Sequence, residues 1–435
     1  MKKLSVKIAC VGGGLAGSLA AIALMKALSP YVALEFHVFE QFSNPFLEDE
    51  DLDHNEKASS FLAQYDARNI VLSSATIQFL KHLGVWAELS EFLVPIHQLH
   101  ISKHKSFAKS QIIAKDEHVE ALGYVADLGA LSLAFQRLAE GAIFHYQATM
   151  EGLKPTQTGY SLRWREPALE DIQTLEAHLV LGADGQFSWV GKTLRIPQTY
   201  KSYQQKALVC NLDVSSSMQQ LAYERFLSDG AITLLPLNHG QFQKRMSLVW
   251  IGPVDKVDQL CDLTDEMFLE ELSHLMGGAF IDQTVQFVSV GRRQTYSLGQ
   301  HQMNERVRPH CVFIGNASQA LHPIAAQGFN LAVRDIRDLS KLLANQLLLS
   351  DASNTEAFPA PGLLQNFSAM RSADVEKVKF FVETLVKTFF KEEVGLSRFV
   401  QSNMQTLGLA LFELLPGAKP GLSRFAMGGR AREAL

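Results

Sequence analysis

Hydrophobic residues in this chain fall into short apolar runs bounded by small or acidic residues, alternating with longer stretches of helical periodicity. Val6 to Val11 has strand length, and Ser18 to Leu28 is long and apolar enough for a buried helix. Glu35 to Phe39 reads as a second strand. Ile77, Leu80, Leu83, Val85 and Trp86 then recur at helical spacing, and Leu179-Val180-Leu181 and Val312 to Ile314 are further strand-like runs. Strands alternating with helices predict a parallel sheet. Between Gln198 and Val290 the pattern changes. Ala207 to Val214, Ala231 to Leu235 and Met246 to Ile251 are separated by polar turns, which predicts an inserted antiparallel sheet. After Leu349 a linker, Asp351 to Pro361, leads into a helical remainder with an apolar stripe of Phe380, Phe381, Leu385, Phe389 and Phe390, and with Met404 to Leu415 mostly apolar.

The first strand ends in Gly12-Gly13-Gly14-Leu15-Ala16-Gly17 and a helix follows at once. In such a turn Gly12 permits the tight bend, Gly14 admits a pyrophosphate close to the backbone, and Gly17 lets helix and strand pack closely. The second strand ends in Glu40, roughly 20 residues past the glycines, where a ribose-binding acid belongs. Strand, turn, helix, strand and acid in this order predict a dinucleotide site that includes Ala16 at the helix start.

A second informative segment runs from Val312 to Arg334. An apolar strand passes through Gly315-Asn316-Ala317 and His322-Pro323 to a helix opening at Gln327-Gly328-Phe329-Asn330. Unpaired N–H groups and the positive dipole end there suit an electron-rich ring or an anion. The two segments are therefore expected to hold opposite ends of one long cofactor. Leu179-Val180-Leu181 also ends in a glycine-flanked acid, Gly182-Ala183-Asp184-Gly185. Asp184 either accepts hydrogen bonds from ribose or ribityl hydroxyls or simply makes a turn.

Composition removes several alternatives. The chain has 435 residues, 47% hydrophobic and 20% charged, enough for a full core in two or three units. A formal charge of -5 without a lysine or arginine block gives no reason to invoke nucleic acid, and no metal-ligand cluster is evident. His97, His100, His104 and His118 are spaced for neither zinc nor a helical pair and read as solvated or loop histidines. Lys2, Lys3 and Lys7 ahead of an apolar stretch imitate a secretory signal, but three consecutive glycines would break its helix. Cys10, Cys210, Cys261 and Cys311 are scattered and read as reduced residues of a cytoplasmic protein.

With these pieces in order, the chain resembles the flavoprotein aromatic hydroxylases built on the para-hydroxybenzoate hydroxylase fold. Within them it is similar to the FAD-dependent hydroxylases of ubiquinone biosynthesis, in particular the 2-polyprenyl-6-methoxyphenol hydroxylase branch. The local matches are Asp66-Ala67-Arg68 leading to Leu80-Lys81-His82-Leu83-Gly84-Val85-Trp86, Glu224-Arg225-Phe226 before Leu235-Pro236-Leu237, and Leu321-His322-Pro323-Ile324 with Gln327-Gly328-Phe329-Asn330. The resemblance implies an α/β fold: a Rossmann-type FAD-binding domain (1–75, 105–195 and 288–350), an inserted antiparallel-sheet substrate domain (76–104 and 196–287) and a helical C-terminal region (351–435).

It also implies FAD bound by Gly12, Gly14, Ala16, Gly17, Glu40, Arg68, Asp184, Gly185, Asn316, Pro323, Gln327, Gly328, Phe329 and Asn330. NADPH or NADH would bind transiently as electron donor, and one atom of O2 would pass to a polyprenylated phenol. His322 would either take the phenolic proton or brace the Pro323 turn. Arg68 would contact the cofactor or gate its movement, or pair with Asp66. Phe329 would flank the ring or belong to the core. Three positions depart from the wider family pattern. Asn316 replaces an aspartate and keeps its oxygen acceptor, Ala326 stands where glycine is usual, and Gly191 replaces a common arginine.

A long-tailed substrate would partition into membrane. The C-terminal helices, with Lys419, Arg424, Arg430 and Arg432, would then lie on the inner membrane face or dock to a partner of a ubiquinone-biosynthesis complex, unless they form an ordinary packed third domain. Other readings are a non-catalytic FAD- or lipid-binding subunit of such a complex, or another flavin oxidoreductase such as a prenyl reductase.

Overall fold

The apolar run near the N-terminus forms the strand Ser5–Val11 in the interior of a six-stranded sheet. The computed structural model of the protein describes residues 4–46, 68–106, 109–216, 220–237, 244–277, 285–325, 327–349 and 358–390. Across this sheet the order is Val307–Arg308, Cys311–Phe313, Leu179–Gly182, Ser5–Val11, Ala33–Phe39 and Ile143–His145, parallel except for the first pair. The chain leaves Ser5–Val11 towards Ala33–Phe39 on one side, while Leu179–Gly182 and Cys311–Phe313 lie on the other. That reversal opens a crevice at the strands' carboxyl ends.

The helix Leu15–Leu28 is apolar nearly all round because it is covered on more than one side. Leu19, Ile22 and Leu24 share a core with strand residues Ile8 and Phe36 and with Val333, Ile336, Leu339 and Leu343 of the helix Gly328–Leu349.

A nine-stranded sheet contains, in order, Gln319–Ala320, Gln294–Met303, Gln198–Val214, Arg245–Pro253, Ala231–Pro236, Leu221–Phe226, Gln98–Lys103 and Lys109–Ile113, with Phe287–Val290 beside Gln198–Val214. It is antiparallel except where Leu221–Phe226 runs parallel to Gln98–Lys103. Alternation separates its faces. Leu208, Ile232, Leu234, Leu248 and Trp250 pack under the helix Asp265–Met276 through Phe268 and Leu272. On the other face, Ala222 and Leu235 meet Val71, Val94 and Val125, and Ile101, Phe226 and Ala231 meet Ile324. The second face is thus turned towards the Val312–Arg334 segment.

The units interleave more than the sequence-based boundaries allow. Within the stretch 76–104 given to the substrate unit, the helix Ser74–Leu83 buries Ile77, Phe79 and Leu80 in the core of the first helix. Conversely, Lys109–Ile113 and Gln294–Met303 belong to the large sheet. Pairing between distant strands decides both cases, and local periodicity does not report it. The helix Leu363–Phe390 packs against Gly328–Leu349 through Val375, Val378, Val382 and Leu331. The inward stripe is this valine row, and Phe380 is 74% exposed. Among the described residues no helix is long and apolar enough to cross a membrane. The apolar segment 404–415 and the basic residues after it lie outside them.

A buried ionic cluster fastens these helices together. Asp335, fully buried, accepts hydrogen bonds from Arg306 Nη1 (2.9 Å), Arg371 Nε (2.7 Å), Gln319 Nε2 (3.3 Å) and the Gly315 N–H (3.4 Å). Arg371 also pairs with Asp374 at 2.7 Å and Asp338 at 3.1 Å. Removing one member strands the others in low dielectric. Arg371→Met should therefore lower unfolding stability by about 3–5 kcal/mol in a urea titration. An unchanged midpoint would show that the cluster is not a fastening.

Candidate active site

Four aligned strand ends build the crevice. Val11 is in register with both Gly182 and Phe39, and Gly182 with Phe313. The residues that follow, Gly12 to Gly14, Ala183 to Gly185, Glu40, and Gly315 to Ala317, consequently emerge side by side. Gly12 has φ +102°, and a Cβ there would lie 2.5 Å from the Ala183 carbonyl oxygen. At Gly17 a Cβ would lie only 1.8 Å from the Gly12 carbonyl oxygen. No other residue fits either position without moving backbone. Gly14 differs, because nothing stands within 4 Å of a Cβ built on it. The same is true of Gly185 and Gly328, so all three glycines face open space.

Polar groups hold the turn in place. Glu40 is buried, and its Oε2 accepts the Gly13 N–H at 2.8 Å while Oε1 accepts the Phe42 N–H at 3.1 Å. Each carboxylate oxygen has a further lone pair for a ribose hydroxyl. Ser18 Oγ donates to the Gly13 carbonyl at 2.6 Å, as does Gln136 Nε2 at 3.3 Å, with Tyr146 donating to Gln136 at 3.1 Å. Gln136 and Tyr146 carry no local motif, and only the fold brings them here.

Asp184 is both turn and candidate ligand. Its Oδ2 accepts the Val190 N–H at 3.1 Å at the start of the helix Trp189–Thr193, but Oδ1 is buried and has no partner among the described residues. Burial pushes its pKa up, opposed by hydrogen bonds from Ser188 and the helix N–H groups. A buried acceptor left open beside the uncrowded Gly185 fits a ribityl or ribose hydroxyl donor. Gly191 is explained by packing. A Cβ there would lie 2.3 Å from the end of the Met303 side chain, which would have to move aside to admit an arginine.

The Val312–Arg334 segment closes against the glycine turn. Gly315, at φ +58°, sits where a Cβ would be 3.1 Å from Cβ of Ala16 and 3.3 Å from that of Ala332. The first helix start and the Gly315–Ala317 turn are thus neighbours, and Asn316 is exposed beside them. Pro323 and Gly328 are also exposed, and the helix Gly328–Leu349 presents its first N–H groups next to the open space at Gly328.

Several expected cofactor contacts instead brace this frame. Asn330 is buried. Its Oδ1 accepts from the Ser73 N–H (2.9 Å) and Thr76 Oγ1 (2.7 Å), and its Nδ2 donates to the Val71 carbonyl (2.9 Å). With both ends of the amide engaged, its side chain ties the helix start to the Asn69–Ser73 strand. Gln327, also buried, accepts from Arg334 at 3.3 Å. Phe329 packs into the core, 6.2 Å from the Phe135 ring. The guanidinium of Arg68, just ahead of the Asn69–Ser73 strand, lies over the Tyr296 ring of the nine-stranded sheet at 5.1 Å.

For His322 the geometry favours the brace. Nδ1 accepts the Ile324 N–H at 3.3 Å, so Nε2 carries the hydrogen and donates to Gln205 Oε1 at 3.2 Å. The Tyr203 ring packs edge-on at 4.8 Å, and burial pushes the pKa down to about 4. Both nitrogens are engaged, and the ring is neutral at neutral pH. A role as proton acceptor finds no support in this arrangement. His100 likewise departs from expectation. It is buried 5.6 Å from the Tyr223 ring, with its pKa lowered by burial.

Known proteins resemble the chain in sequence and in fold. The chain is 29% identical over 425 residues to ubiquinone hydroxylase of Rhodospirillum rubrum, covering 96% of this chain and 88% of that protein. It is 24% identical over 435 residues to 3-demethoxyubiquinol 3-hydroxylase of Escherichia coli, covering 98% and 100%. Among solved structures, p-nitrophenol 4-monooxygenase of Pseudomonas putida superimposes with a TM-score of 0.69 at 16% identity, over 98% of this chain and 99% of that one. A flavin-dependent halogenase gives 0.68 at 12%, so this likeness speaks for the fold alone.

The open side of Gly14 can be tested directly. Gly14→Glu should leave the far-ultraviolet dichroism intact and yield colourless protein, whereas stoichiometric flavin in the purified variant would remove the pyrophosphate assignment. The glycine turn, the acid after the second strand and the open Asp184 oxygen fit one cofactor, and the FAD binding domain family matches residues 56–357, most of the chain. The chain belongs to that family.

Proposed function

We propose that the protein is an FAD-dependent monooxygenase that uses NADPH or NADH and O2 to hydroxylate a polyprenylated phenol in ubiquinone biosynthesis. The observation that carries this reading is the juxtaposition of two surfaces. The dinucleotide crevice opens at Gly14, Gly185 and Gly328, and the inner face of the nine-stranded sheet packs on Ile324 a few residues from Gly328. Such a sheet would wall the cofactor's reactive end. Relatives matching nearly end to end are named ubiquinone hydroxylase and 3-demethoxyubiquinol 3-hydroxylase, which supports the substrate class.

Gly12 to Gly17, Glu40 and Asp184 would hold the pyrophosphate, ribose and ribityl portions, with the exposed Asn316 beside them. When bound, FAD supplies the redox chemistry that activates O2. The residues around it position the arene and keep water away. Ile101, Phe226 and Ala231 on the sheet and Ile324 opposite form an apolar lining for that purpose. The single dinucleotide turn implies that the nicotinamide donor binds only transiently. The inner membrane face, or a partner in a biosynthetic complex, would deliver a long-tailed substrate.

Anaerobic reduction with NADPH or NADH, followed by O2 and a short-chain prenylphenol, should give one hydroxylated product per nicotinamide oxidised. Recovery of unmodified phenol with all electrons lost to hydrogen peroxide, or of a reduced prenyl chain, would contradict the assignment.

A further inference from the structure

Within Glu224-Arg225-Phe226, strand alternation sends neighbouring side chains to opposite faces of the large sheet. Arg225 points to the helical face, where it donates to the Leu275 carbonyl (2.6 Å), the Gly277 carbonyl (3.0 Å) and Ser102 Oγ (3.1 Å). Its role is to dock a helix end. Glu224 points the other way, towards the crevice. Across the sheet it is in register with Ile101 on one side and Thr233 on the other, and Thr233 in turn with Val249. Along its own strand it lies between Ala222, whose cluster includes Val71, and Phe226, whose cluster includes Ile324. The carboxylate therefore lies between the cluster that includes Val71 and the cluster that includes Ile324.

A charged group in the middle of an apolar sheet face requires a reason. Thr233 Oγ1 donates to Oε2 at 2.7 Å, and among the described residues no group is bonded to Oε1. The residue is half-buried, so its open oxygen is not sealed within the sheet. The other ionisable residues of this face are Lys103 and the Asp213–Arg245 pair, bonded at 2.9 Å. On the elements packed against this face, Arg68 lies over Tyr296 and His322 is neutral. None of these is paired with Glu224.

We propose that Glu224 binds the substrate's phenolic hydroxyl through Oε1 and accepts its proton. This deepens the proposed function and rests on it. The transfer is ArOH plus carboxylate giving ArO⁻ plus carboxylic acid. The O–H bond of the phenol breaks, an O–H bond forms on Glu224, and the proton returns to the product hydroxyl. A developing phenolate makes the ring a better nucleophile towards an electrophilic oxygen. The side chain is matched to this task, because desolvation pushes its pKa up to about 7 while the Thr233 bond holds it down.

The test uses holoenzyme and reads binding by the change in flavin absorbance, with 2-prenylphenol and its methyl ether as probes. At about pH 8 the wild type should bind the phenol about tenfold more tightly than the ether, a preference that shrinks as pH falls through about 7 and Glu224 is protonated. Glu224→Gln, nearly isosteric, should keep its flavin and lose both the preference and its pH dependence. Thr233→Val should keep the preference but move the midpoint upward, since the lost hydrogen bond favours the charged form. A Gln variant with the wild-type preference and pH profile would overturn the assignment. The readout is independent of turnover. A wild type that shows the preference but forms no hydroxylated product would support Glu224 and overturn the hydroxylase reading.

Discussion

The site depends on one close approach of backbone to backbone. A side chain on Gly17 would lie 1.8 Å from the Gly12 carbonyl oxygen, so the first helix can start directly on the strand end only because both positions are glycine. That contact aims the helix start at the crevice. It also sets where Gly315 can run, because that turn rests against Ala16 and Ala332. Through the Gly315 N–H and Asp335 the placement extends to Arg306 and Arg371, and so to the C-terminal helix. A cofactor contact made near the N-terminus is thereby coupled mechanically to residues more than 300 positions away.

The second requirement is a dry, shaped space, and the large sheet supplies it by using its two faces differently. One face is filled by Phe268 and Leu272 from the covering helix, which stiffens the sheet. The other carries short apolar clusters that meet Val71 and Ile324 and leaves Glu224 between them. Asn330 and His322 fix the opposite wall with bonds to Val71, Ser73, Thr76 and Gln205. The wall is held rigidly by groups that are themselves chemically quiet, which suits a site where small displacements of an arene are costly.

Much of the first half of this account was legible in the residues. The glycine turn, Glu40 and the parallel strands are local patterns, since each needs only a few neighbouring positions to declare itself. The antiparallel insert was visible as a change of period, though its strands Lys109–Ile113 and Gln294–Met303 were not, because their partners are distant in sequence. The roles of Asn330, His322 and Phe329 were not readable from the motif. A side chain beside a cofactor segment can face the ligand or the frame, and the choice depends on whether Val71, Gln205 or Phe135 waits behind it. The Asp335 cluster gave no signal either, because its partners Arg306 and Arg371 lie on separate elements. Glu224 belongs to a local motif, but only strand register fixes which face it takes.

The central claim is that one long flavin nucleotide lies along the crevice, gripped at the glycine turn and at the Gly315 to Gly328 segment. The most direct measurement is the ultraviolet-visible spectrum of freshly purified full-length protein, followed by release and quantification of the chromophore. The account predicts flavin bands and one FAD per chain. A colourless protein that takes up no FAD on incubation would contradict it.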